Sequence, residues 1–211
     1  MGISHESNLY FNKKNKKMNI GIIGSGKMGG GLAKFWAKNG HNLMLSYSRD
    51  IEKLKSQAQS IAPGVRVGTP AEAVEFADVV LLSVPWAAVP DALQAAGSLE
   101  GKILFSCVNA LTPDMSGMAV GTTTSGAEEI AKLASGAMVV EALPIFAEVL
   151  YSPSRKFGEQ DATVFYCGDD AQAKQTVAEL LREIEVEPID AGSFTPCFHA
   201  LVDTIVALFS H

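Results

Sequence analysis

The stretch Met18–Gly31, MNIGIIGSGKMGGG, constrains the fold of this chain more than any other. Ile20, Ile22 and Ile23 read as a short buried strand that runs into a glycine-rich turn and then a helix. The turn, Gly24-Ser25-Gly26-Lys27-Met28-Gly29, has the spacing G-x-G-x-x-G. In a dinucleotide site each glycine of that pattern has its own task. The first permits the tight turn, the second lets the backbone approach a pyrophosphate, and the third lets the helix pack closely on the strand. The helix N-terminus then offers unpaired N–H groups and the positive end of its dipole to the phosphates. The spacing alone is common; its weight comes from the apolar strand before it and the amphipathic helix after it. The competing reading is a glycine-rich βα turn without a ligand.

Strands and helices alternate from there on. A helix from about Lys27 to Asn39 carries Leu32, Phe35 and Trp36 as its apolar stripe, with Gly40 as the C′ residue. His41 follows that cap and is expected to serve the turn. The next strand, Asn42 to Tyr47, bears on cofactor preference. An NAD site usually places Asp or Glu about 20 residues beyond the glycine turn, on the ribose 2′-hydroxyl. Here the strand ends Ser46-Tyr47-Ser48-Arg49, with no acid before Asp50. A hydroxyl and a guanidinium suit a 2′-phosphate, which Arg binds bidentately; the alternative is that Arg49 is a solvated loop charge. Asp50 reads as the N-cap of a helix over 51–60.

Val65–Val67 is a short third strand, and Thr69-Pro70 opens a helix with Thr69 as N-cap, Pro70 at N1 and Glu72 at N3. Ala77–Val84, ADVVLLSV, is a continuous apolar run suited to a central parallel strand covered on both faces. It ends in Pro85-Trp86, and loops at the carboxyl ends of such strands line the ligand crevice. Trp86 either lines that crevice or packs. A helix over 88–96 and a strand from Lys102 to Cys107 follow, and then Asn109, which bonds cofactor or fixes the loop. Further strands are expected at Ala137–Leu143, Ala162–Cys167 and Val186–Ile189, with helices over 125–133 and 171–184. Pro144-Ile145-Phe146-Ala147 stands at the same sheet edge, and residues 150–160 read as a surface loop. Gly168-Asp169-Asp170 reads as a turn and an N-cap rather than a metal site. A last helix, about Thr195–Phe209, has Phe198, Leu201, Val202, Ile205 and Phe209 on one stripe; that face needs the sheet or a second subunit as partner. His199 on it reads as a packed or exposed helix histidine rather than a general acid.

The pattern predicts an α/β fold, a doubly wound, mostly parallel sheet of about eight strands (Rossmann type) with a C-terminal helix. One domain is expected over 18–211. Residues 1–17 hold four lysines and one acid, lack an apolar signal region, and are expected to be a disordered tail, either native or an expression remnant. The net charge of -6 speaks against nucleic acid or an anionic membrane as partner. Three widely spaced cysteines give no disulfide framework, so the cytoplasm is the expected compartment. No apolar run reaches the roughly 20 residues of a membrane helix.

Several short segments, in this order and spacing, resemble one family: IGIIGSGKMG, GHNLMLSYSRD, VLLSVPWAAV, VNALTPD, EALPIFAEV, VFYCGDDAQAK and EPIDAG. It is that of the NADP-dependent coenzyme F420 oxidoreductases and the wider dinucleotide-binding reductases, including the cytosolic domains of metalloreductases. The resemblance runs from about Met18 to Leu208 and implies a Rossmann domain binding NADP(H). It puts Gly24, Ser25, Gly26, Lys27, Met28 and Gly29 on the pyrophosphate, and Tyr47, Ser48 and Arg49 on the 2′-phosphate. Val84, Pro85 and Trp86 fall beside the adenosine ribose, Asn109 and Ala110 near the nicotinamide ribose, and Phe146 and Ala147 by the nicotinamide ring. It also implies direct hydride transfer between the nicotinamide and a stacked deazaflavin (F420) or flavin, with the protein supplying position and electrostatics. No side chain is expected to act as a catalytic acid, and no metal is expected. Many relatives have Asn-Pro where this chain has Asn109-Ala110, and some have one residue more before Phe146; both departures fall on the acceptor side. The expectation is an NADP(H)-dependent oxidoreductase acting on a small-molecule acceptor, with a homodimer built on the last helix. The alternative is an NADP(H)-binding redox sensor, or a partner-binding protein, without turnover.

Overall fold

The computed structural model describes residues 16–47, 50–114, 116–120, 123–142, 150–157 and 159–194. Most of the expected tail and the whole of the expected last helix, with His199, lie outside the described residues. Along the chain the elements are β1 (Asn19–Ile23), α1 (Lys27–Lys38), β2 (Asn42–Ser46), α2 (Ile51–Ile61), β3 (Arg66–Val67), α3 (Pro70–Phe76) and β4 (Val79–Leu82). A 3-10 turn (Trp86–Ala88) leads into α4 (Val89–Ala96), β5 (Ile103–Ser106), α5 (Gly126–Leu133) and β6 (Met138–Ala142). Then come β7 (Lys156–Phe157), β8 (Gln160–Asp161), β9 (Thr163–Gly168), α6 (Ala171–Arg182) and β10 (Glu187–Asp190).

Eight strands form one sheet in the order β10-β9-β6-β5-β4-β1-β2-β3. From β3 to β6 every neighbouring pair is parallel. β9 enters antiparallel to β6, and β10 runs parallel to β9. The fold is thus the doubly wound, mostly parallel α/β sheet that the pattern predicts. One correction concerns residues 150–160, expected to be a loop throughout. There β7 and β8 form a separate antiparallel hairpin, Lys156 opposite Asp161, too short to leave a period-2 signal.

Both faces of the sheet are covered, which is why β1 and β4 read as unbroken apolar runs. On one face Leu32 and Trp36 of α1, Leu54 of α2 and Val177 and Leu181 of α6 pack against Ile20, Ile22 and Leu81. On the other, Val74 of α3, Leu93 of α4 and Ile130 of α5 pack against Ile23, Val80 and Leu104. The helix starts are where local chemistry puts them. Asp50 accepts from the Lys53 N–H at 3.0 Å, and Thr69 with Glu72, like Ser125 with Glu128, forms a reciprocal capping box. Asp170 accepts from the Ala173 N–H at 2.7 Å, so the Asp169-Asp170 pair is a turn and a cap. Among the described residues no group of three or more His, Cys, Asp or Glu is placed to hold a metal.

His41 serves its turn and more. Its Nδ1 accepts from the Met18 N–H at 3.1 Å, which leaves Nε2 to donate to Glu183 at 2.8 Å. With the fully buried Trp36, whose Nε1 donates to the Leu180 carbonyl at 3.1 Å, it ties the end of α1 to the end of α6.

Candidate functional site

The strand order reverses between β1 and β4, and open α/β sheets bind ligands outside the carboxyl ends of the strands at such a point. Four strand ends meet there. The Gly24 N–H donates to the Ser46 carbonyl at 3.2 Å, the Ser83 N–H to Ile23 at 2.9 Å, and the Cys107 N–H to Leu82 at 3.0 Å. The Ser46 hydroxyl, fully buried, donates to the Ile22 carbonyl at 2.9 Å and so belongs to the strand rather than to a ligand.

The three glycines of the turn divide into two kinds. Gly24 has φ +97°, and a Cβ on it would lie 2.2 Å from the Ser83 carbonyl oxygen. A Cβ on Gly29 would lie 2.1 Å from the Gly24 carbonyl oxygen. These two glycines are required by the packing of the turn itself. Gly26 is different: a Cβ there would meet nothing within 4 Å, so the turn opens onto free space at the helix N-terminus. Gly26 is also the N-cap of α1; no side chain caps it, and the first turn of the helix has no acid. The positive end of the helix therefore faces that space with no capping side chain and no acid of its own first turn, and with exposed Lys27 beside it. Ser25 and Met28 are half-buried in the walls. This arrangement fits the pyrophosphate of a dinucleotide.

Around the turn, Tyr47 is half-buried at the end of β2 with φ +61° and packs against the second core cluster. Ser48 and Arg49 lie outside the described residues; the chain resumes at Asp50, the cap of α2. Val84 is buried, Pro85 exposed and Trp86 half-buried. Trp86 packs against the α4–α5 side of the core, and its ring lies 3.6 Å from where a Gly126 Cβ would be. Its outer side joins Pro90, Lys132 and Leu133 along one groove. Packing thus accounts for the inner side of Trp86. Asn109 is exposed at the end of β5, with its carbonyl accepting from the Leu111 N–H at 2.8 Å, while Ala110 is buried against Gly126. Phe146 and Ala147 lie outside the described residues.

Two residues that sequence reasoning missed touch the turn. Gln57 of α2 donates from Nε2 to the Ser25 carbonyl at 2.6 Å, and the Tyr151 hydroxyl donates to the Lys27 carbonyl at 2.8 Å. Neither belongs to a motif; each reaches the turn only through tertiary packing. Cys107, at the edge of the crevice, is not an activated thiol: burial first, and then the charge of Glu141, push its pKa well above the ordinary thiol range.

Fold, switch point and glycine turn together define a Rossmann-type dinucleotide-binding domain. Residues 19–110 match the family model described as NADP oxidoreductase, coenzyme F420-dependent. The chain is 28% identical over 174 residues to metalloreductase STEAP3 of Rattus norvegicus; the match covers 82% of this chain and 34% of that protein, so the chain spans about a third of that relative's length. Among solved structures it is similar to a candidate F420-dependent NADP-reductase from Arthrobacter sp. FB24, with a TM-score of 0.78 and 28% identity over 92% of this chain and 94% of that one. A hypothetical protein from Sinorhizobium meliloti aligns with a TM-score of 0.74 and 27% identity over 90% of each chain.

Proposed function

We propose that this chain is an NADP(H)-dependent oxidoreductase that transfers a hydride between the nicotinamide and a deazaflavin such as F420, or a flavin-like ring. The observation that carries the reading is the open space at Gly26 under an uncapped helix N-terminus at the sheet's switch point. The family match over 19–110 and the likeness to the Arthrobacter structure support the choice of NADP(H) and of this acceptor class. When bound, the nicotinamide supplies the hydride chemistry itself. The chain's residues bind and orient. The Gly24–Gly29 turn takes the pyrophosphate through backbone N–H groups, and Arg49 with Tyr47 and Ser48 takes the 2′-phosphate. Val84, Pro85 and Trp86 border the adenosine ribose; Asn109 and Ala110, with Phe146 and Ala147, border the nicotinamide side. Such positioning suffices when both reacting rings carry the chemistry. No helix among the described residues is long and apolar enough to cross a membrane.

The test is a titration with NADPH and NADH, followed by oxidised F420 or FMN added to the tighter complex while nicotinamide absorbance is followed. Oxidation of NADPH is expected. Tight NADPH binding with no oxidation by F420, FMN, FAD or a ferric chelate overturns the transfer reaction and leaves the redox-sensing reading. In the same titration Arg49→Ala should weaken NADPH by about tenfold or more while leaving NADH nearly unchanged, since only NADPH carries the 2′-phosphate. Equal losses for both would remove Arg49 from the 2′-phosphate site.

A further inference from the structure

The glycine turn is held from outside by two side chains, whose bonds fix the planes of two of its peptide units. A peptide unit is planar and trans, so the carbonyl of one residue and the N–H of the next point in opposite directions. Gln57 holds the Ser25 carbonyl at 2.6 Å, and this carbonyl shares its peptide plane with the Gly26 N–H. Tyr151 holds the Lys27 carbonyl at 2.8 Å, which shares its plane with the Met28 N–H. With the Ser25 carbonyl held by Gln57, the Gly26 N–H points away from α2, where a Cβ on Gly26 would meet nothing within 4 Å. The Met28 N–H already points toward the helix N-terminus as part of α1, and Tyr151 holds that peptide plane in place. The helix sequence makes room for both tethers. A Cβ on Gly30 would lie 2.4 Å from Gln57 Nε2, and one on Gly31 would lie 3.5 Å from the Tyr151 ring carbon Cζ and 3.2 Å from Leu150 Cδ1. The run Gly29-Gly30-Gly31 is therefore three separate close approaches, against the strand turn, α2 and the segment after β6. Lys34 stands over the Tyr151 ring with Nζ 5.4 Å from its centre, which holds the ring against α1.

We propose that Gln57 and Tyr151 are positioning residues for the pyrophosphate of the dinucleotide, acting through the Ser25 and Lys27 carbonyls. The proposal rests on the NADP(H) reading above and deepens it.

The experiment measures dissociation constants for NADPH, NADH and 2′-AMP on the full chain and on Gln57→Leu and Tyr151→Phe, together with the Tm of each ligand-free protein. 2′-AMP carries the adenosine and 2′-phosphate but no pyrophosphate, so it reads the rest of the site. Each substitution should weaken NADPH and NADH by the same factor, about five- to tenfold for one lost net hydrogen bond, leave 2′-AMP nearly unchanged, and lower Tm by no more than about 2–4 °C. Gly30→Ala should weaken both dinucleotides like Gln57→Leu, and adding it to Gln57→Ala should cost nothing further, because the shortened side chain vacates the space. Unchanged dinucleotide affinity in Gln57→Leu and Tyr151→Phe overturns the proposal, as does a loss of 2′-AMP affinity in step with NADPH. A wild-type chain that binds neither dinucleotide overturns the NADP(H) reading itself, and this proposal with it.

Discussion

Single residues in the turn separate what folding requires from what a ligand requires. Gly29→Ala brings a methyl group against a backbone carbonyl 2.1 Å away, where no rotamer relieves the clash. It should destabilise the fold by about 1–3 kcal/mol, seen as a lowered Tm without ligand. Gly26→Ala places its methyl in open space. It should leave Tm nearly unchanged while weakening NADPH by about tenfold or more, because the pyrophosphate needs that approach to the backbone. Equal Tm losses in the two variants would remove the distinction. The G-x-G-x-x-G spacing already gave the second glycine the approach to a pyrophosphate and the third the close packing; the structure adds that Gly24 and Gly29 are closed in by the Ser83 and Gly24 carbonyls while Gly26 is open. Gln57 was not legible at all, since its amide reaches Ser25 across an interval of 32 residues.

At the scale of the element, starts were legible and partners were not. Asp50, Thr69, Ser125 and Asp170 cap their helices through bonds that span three residues, so the signal is complete within one turn. Ser125→Ala should cost about 1 kcal/mol in chemical denaturation. The other half of that box titrates. The Ser125 backbone N–H foremost, with the Ser125 and Thr124 hydroxyls and Lys132, holds the Glu128 pKa below its ordinary 4.5 against the opposing effect of burial. A carboxylate whose pKa is lowered on folding stabilises above its unfolded value, and that contribution disappears as the pH falls through the folded value. Glu128→Gln should therefore lower Tm at pH 7 and converge with the wild type as the pH drops well below 4.5. A constant difference down to strong acid would mean that the charge of Glu128 plays no part. The β7–β8 hairpin shows the converse: with two residues per strand it has no pattern to read.

Across the whole molecule, the first six strands of the main sheet and the β9–β10 extension are joined by bonds that cross the fold. Trp36 reaches Leu180, His41 reaches Glu183, and Asn39 donates from Nδ2 to the Glu183 carbonyl at 3.4 Å. Trp36→Ala should destabilise the protein by about 3–5 kcal/mol and, in hydrogen exchange, deprotect α6 amides as strongly as those of α1. Deprotection confined to α1 would mean that the two regions open separately. By itself the sequence determined the eight main strands, the helix starts and the glycine turn, because each rests on interactions within about one turn or one strand. It also implied the parallel half of the sheet, since strand-helix-strand crossovers are right-handed and cover both faces. Only the tertiary structure decided that β9 enters antiparallel against β6, that His41 bonds Glu183 rather than a ligand, and that Gln57 and Tyr151 grip the turn. Each of these depends on residues far apart in the chain, whose meeting is set by how the layers pack and leaves no periodicity behind.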